Sequence, residues 1–131
     1  HGSQTRIKIL PRDFQIDDNV GRPLFVEDDT AGDLSIRTFG IADFLYATIP
    51  IPQDYTASAV MIYGSDTSNA VSCSEGFINT PTYATGGVGV VGTEFSITPI
   101  SSSATNFLWV RVGPTADDDL IYGGYVTIIK S

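Results

Sequence analysis

Between Thr38 and Val110 the chain has no lysine or arginine. A stretch that long without a cation offers no continuous surface to phosphate backbones or anionic lipid, so nucleic acid and membrane are excluded as default partners. Histidine is missing too, apart from His1, and His1-Gly2-Ser3 reads as the remnant of a cleaved affinity tag. Without an internal histidine, a serine or cysteine nucleophile lacks its usual base and zinc hydrolysis lacks its ligands; no catalytic group is assigned. The one cysteine, Cys73, cannot close an internal disulfide and reads as a small strand residue turned inward. No apolar run reaches the roughly 20 residues of a membrane-spanning helix, and no charged-then-apolar signal pattern opens the chain.

What is present points to strands. The 131 residues suit one domain. Short β-branched and aromatic runs recur between clusters of Gly, Pro, Ser, Thr, Asn and Asp, the pattern of an all-β antiparallel sandwich, the jelly roll being one form, with little or no helix. The clearest run is Asn106 to Gly113: Leu108, Val110 and Val112 share one face, while Phe107, Trp109 and Arg111 share the other. Leu108, Val110 and Val112, with Val126 and Ile128, are expected in the core. Leu34 to Phe39 and Tyr125 to Ile129 also read as strands, the latter entered through a bend or bulge at Gly123-Gly124. Six further candidates are Ile7 to Leu10, Leu24 to Glu27, Phe44 to Ile51, Ala57 to Tyr63, Ala70 to Asn79 and Phe95 to Ile100. The segment from Phe44 could instead open a helical turn, which Pro50 and Pro52 would stop; the strand is preferred. Residues 1–5 are set aside as tag remnant and flexible N-terminus, and 6–131 form a single sandwich domain.

Charge is uneven along the chain. Fifteen acidic residues outnumber seven basic ones, for a net charge of −8, and Arg6, Lys8, Arg12 and Arg22 all fall within the first 22 positions. Two readings of the segment Arg6 to Phe14 stand side by side. It is an extended arm that docks on another protein, with Arg6, Lys8 and Arg12 as its cations and Phe14 among its apolar anchors, or it is an ordinary first strand with Ile7 and Ile9 turned inward.

Gly87-Val88-Gly89-Val90-Val91-Gly92 spells the dinucleotide fingerprint but fails on context. Thr93 to Thr98 continues as strand, so no helix N-terminus meets a pyrophosphate, and the glycines are read as a flexible loop with no bound cofactor. The acidic clusters Asp17-Asp18, Glu27-Asp28-Asp29 with Asp33, and Asp117-Asp118-Asp119 sit beside turn residues and lack the spacing of a calcium loop. They are read as solvated turns, with no metal assigned. Tyr46, Tyr55, Tyr83, Tyr122 and Tyr125 are candidate stacking surfaces for sugars, or fillers of a core or subunit contact.

Three stretches carry a family likeness: Lys8 to Phe14, Leu45 to Ala57, and Thr105 to Val110 leading to Asp119 to Ile128. Together they resemble small virion structural proteins of tailed bacteriophages. The resemblance implies localisation in the virion, as a capsid decoration, head-fibre or tail-associated protein. It implies capsid or other virion proteins as partners and an oligomeric state; self-association, with a homotrimer favoured, is also expected from the strands Ala57 to Tyr63 and Tyr125 to Ile129, which carry apolar residues on both faces. A receptor-binding module that takes a host-surface glycan is the alternative within the same context. An aromatic-lined cleft would favour the glycan reading, whereas an extended apolar face would favour assembly.

Overall fold

A computed structural model describes residues 4–16, 24–28, 33–37, 44–113 and 120–131, with backbone alone for 12, 16, 24–28 and 33–37. Its strands are β1 (Gln4–Ile9), β2 (Phe14–Ile16), β3 (Leu24–Asp28), β4 (Asp33–Arg37), β5 (Leu45–Ile49), β6 (Tyr55–Gly64), β7 (Ala70–Phe77), β8 (Tyr83–Val90), β9 (Phe95–Ser101), β10 (Asn106–Val112) and β11 (Leu120–Lys130). Helix among the described residues is a single 3₁₀ turn, Pro11–Asp13. Proline suits its first position, and the Asp13 carboxylate accepts the Leu10 amide at 2.9 Å.

All strand pairs are antiparallel, in two sheets. The five-stranded sheet runs β2-β5-β10-β7-β8; the six-stranded sheet runs β3-β4-β11-β6-β9, with β1 paired to the remainder of β11. From β5 onward the chain changes sheet at every connection except the β7–β8 hairpin. The orders β1-β11-β6-β9 and β5-β10-β7-β8 that result are those of a jelly roll. A β3–β4 hairpin extends the first sheet beside Leu120 and Ile121.

Period-two alternation builds the core. Along β10, Leu108, Val110 and Val112 have no exposure, and across the sandwich Val126 and Ile128 of β11 are equally enclosed, as expected from the pattern. Cys73 stands opposite Val110 in the β7–β10 ladder and is buried there. The bend expected at Gly123-Gly124 exists: the register slips between Ile121 and Gly123, and Gly123 holds φ +134°, open to glycine and strained for any other residue.

The glycine-rich segment departs from its expected loop. Tyr83–Val90 is a full strand paired along β7, and its Gly87 and Gly89 face the other sheet. A side chain on Gly87 would meet Ile97 at 3.1 Å, and one on Gly89 would overlap the Phe95 ring. The glycines therefore let β8 and β9 approach where the two sheets meet, rather than loosening a turn.

The N-terminal segment is a strand of its own sheet. Gln4 through Ile9 pair with Ile129 through Gly124, so pairing starts ahead of the expected boundary at residue 6. Ile9 (2% exposed) and Phe14 (4%) lie inside the sandwich.

Candidate functional site

The outward face of the five-stranded sheet carries an aromatic groove. Gly76 of β7 forms part of its lining opposite Phe107 of β10, and the small Ser72 and Ser74 stand opposite Arg111 and Trp109 further along the same ladder. On one side β5 contributes Tyr46 and Thr48, paired with Arg111 and Trp109. On the other, β8 contributes Tyr83 opposite Gly76. Large rings flanking a row of hydroxyls and glycine leave a depression, and the β7–β8 connection raises its end wall with Thr80, Pro81 and Thr82. The resulting cavity holds ≈ 350 Å³, and none of its described lining residues is charged.

The rings form a continuous strip. Phe44 and Tyr46 are 6.5 Å apart between centroids, Tyr46 and Trp109 5.7 Å, and Trp109 meets Tyr83 edge-on at 5.2 Å and 82°. Such offset and edge contacts hold the rings in fixed attitudes. Phe107 lies over Gly76, where even a methyl group would come within 2.6 Å of the ring. Tyr83 remains 62% exposed. Beyond Tyr46 the strip ends at Arg111, whose guanidinium sits 4.7 Å from the Phe44 centroid.

The cations expected in a partner contact lie elsewhere. Arg6 and Lys8 are exposed on the outer face of the six-stranded sheet, with Arg6 over the Tyr125 ring at 4.1 Å. Tyr125 adjoins Tyr63 at 6.2 Å, and Glu94 beside it accepts the Thr127 hydroxyl at 3.2 Å. Partial desolvation and a hydrogen bond to Glu94 hold the Tyr125 phenol above its ordinary pKa. Phe14 is enclosed by its own chain, so it is no surface anchor, and the side chain of Arg12 lies outside the described residues.

Of the tyrosines proposed for stacking, Tyr46 and Tyr83 enter the groove. Tyr55 packs against the core, Tyr122 is exposed, and Tyr125 belongs to the opposite sheet. Sequence reading had not joined Gly76, Phe77 and Thr80 to Thr82 to this surface. The available signal was the pair Phe107 and Trp109, aromatic at alternate positions with only Ser and Gly across the ladder.

A second, polar hollow lies at one end of the sandwich between Gln53, Asp54, Tyr55 and Ser101 to Ser103. Hydroxyls of Thr56, Ser101 and Ser131 are linked there at 3.0 and 2.8 Å. Asp54 is the one acidic side chain among its described lining residues. Among the described residues no three His, Cys, Asp or Glu side chains are grouped to hold a metal ion. Asp17-Asp18, Asp29 and Asp117-Asp118-Asp119 lie outside the described residues, as do the side chains of Glu27, Asp28 and Asp33.

No family model matches the chain, and no curated protein sequence does. Solved structures do resemble it. The CBM22-1 and GH10 modules of Clostridium thermocellum endo-1,4-β-D-xylanase 10B, complexed with xylohexaose, match 98% of this chain at TM-score 0.50 and 14% identity. This chain spans only 28% of that one. The apo CBM1 of BiXyn10A matches all of it at TM-score 0.47 and 17% identity, over 92% of its own length. The likeness is one of fold: a β-sandwich like that of carbohydrate-binding modules.

Proposed function

We propose that the chain is a non-catalytic binding module that takes a glycan along the groove over Tyr46, Trp109, Phe107 and Tyr83. The aromatic strip is the observation that carries this reading. A pyranose ring has an apolar face of C–H bonds and a rim of hydroxyls. Aromatic planes match the first, while Thr48, Thr80 and Thr82 supply donors and acceptors for the second. A β-sandwich like that of carbohydrate-binding modules is a suitable frame, and xylohexaose, the ligand of one similar structure, is a natural first probe. On the sequence resemblance, the module belongs to a phage fibre or spike and reads a host-surface glycan. Calorimetry with xylohexaose and a panel of bacterial surface oligosaccharides tests the reading. Saturable binding lost in Trp109→Ala and Tyr83→Ala is expected, and absence of binding across the panel would overturn it.

A second reading, a capsid decoration or virion-surface accessory protein that self-associates as a trimer, draws on a different surface. Val88 and Val90 project outward from β8 at 71% and 40% exposure, and Ile78 at 73%. Val88 and Val90 lie toward one end of β7 and Ile78 just past the other, and a subunit contact would cover either. Light scattering at tens of micromolar distinguishes trimer from monomer. A monomer at that concentration counts against this reading and leaves the glycan reading standing.

A further inference from the structure

Arg111 brings a full charge to a sheet face whose other outward residues, on the described strands, are neutral. β10 places it two positions beyond Trp109 on the same face, in register with Tyr46 of β5 and Ser72 of β7. Its Cα is thus about 7 Å from that of Trp109. The guanidinium is half-buried against Phe44 at 4.7 Å, and no described carboxylate pairs with it. Glu75, the one acid of the neighbouring strand β7, is engaged by the Asn106 amide, which donates to it at 2.8 Å. In a chain of net charge −8, a cation that no described carboxylate pairs with, steadied by an aromatic ring beside the groove, is suited to accept a carboxylate from a ligand.

We propose that the groove takes an acidic glycan, stacking one sugar on Trp109 and Tyr83 and pairing the carboxylate of an adjoining uronic or sialic acid with Arg111. The inference rests on the glycan reading of the groove and adds the class of sugar. A planar guanidinium offers parallel N–H donors at the spacing of carboxylate oxygens, which a neutral sugar would leave unused. On the outward face of the five-stranded sheet the other described residues are neutral, so on that face the charge of Arg111 selects the position as well as the ligand.

The test compares ligands that differ in charge but little in shape: tetragalacturonate against its methyl ester, and sialyllactose against lactose, titrated into the full chain at low salt. The acid of at least one pair is expected to bind roughly tenfold or more tightly than its neutral counterpart, and the pair showing the difference tells uronate from sialate. Arg111→Gln should erase that difference. Arg111→Lys should restore only part of it, because the point charge lacks the fork. Raising salt to about 0.5 M should weaken the acid alone, so the inference remains open to test even if one variant folds poorly. Equal binding of acid and neutral sugar, or acid binding unaltered in Arg111→Gln, overturns the inference and leaves the groove reading intact. Failure of every sugar to bind in a Trp109-dependent way overturns both.

Discussion

Gly89 has no room for a side chain, because the Phe95 ring of β9 occupies the space where a Cβ would stand. Gly89→Val is therefore expected to cost about 1–3 kcal/mol through overpacking, read as a lower urea midpoint. Cys73 makes a second residue-scale prediction. Burial pushes its thiol up to about 12 from an ordinary 9.0, so the folded protein keeps the proton to higher pH than the unfolded chain does. A raised folded pKa means stability that holds below pH 9 and declines as pH rises from 9 toward 12. The slope should be smaller in Cys73→Ala, leaving the part that the raised Tyr125 phenol contributes, and a thiol reagent at neutral pH should react only on unfolding. Asp66 shows the opposite sign. Its carboxylate accepts the Ser68 hydroxyl at 2.6 Å and the Ser68 amide at 2.9 Å, which lowers its pKa below the ordinary 3.8. That stabilisation is present above pH 3.8 and lost as pH falls through the lower folded value. Asp66→Asn should accordingly match the parent in strong acid and fall below it near neutrality, by thermal melting.

At the scale of the element, β10 carries the core on one face and the aromatic groove proposed to bind glycan on the other. Leu108→Ala removes a side chain with no exposure and is expected to cost about 2–5 kcal/mol. Trp109→Ala, one residue on and facing outward, should move the melting temperature far less while abolishing glycan binding. The pair is checked by thermal melting alongside calorimetry, and equal loss of stability in both would show that the groove rings belong to the core. β1 is an edge strand of the sheet it completes. Deleting residues 1–14 takes Ile9 and Phe14 out of the core and should unfold or strongly destabilise the chain, whereas a docking arm would be lost with the fold intact. Far-UV circular dichroism of the truncated protein separates those outcomes.

For the whole molecule, alternation along the chain already disclosed which faces of β10 and β11 turn inward, because side-chain direction in a strand is local and repeats every second residue. Composition likewise excluded a disulfide scaffold and a histidine-based active site before any coordinates. The likeness to β-sandwich modules agrees with the class read from the strand pattern. Partner choice among strands was not legible in the same way. β8 went unrecognised because glycine has poor strand propensity, and the reason for its glycines, Phe95 and Ile97, belongs to a strand of the other sheet. The inward placement of Phe14 depends on its pairing with Ala47, more than thirty residues along the chain. The groove exists only because antiparallel pairing lays Tyr46, Gly76, Tyr83 and Trp109 side by side across four strands. Local pattern determined which residues face the core, while the aromatic groove was decided by long-range register, a sum over the whole sheet that no window of sequence contains.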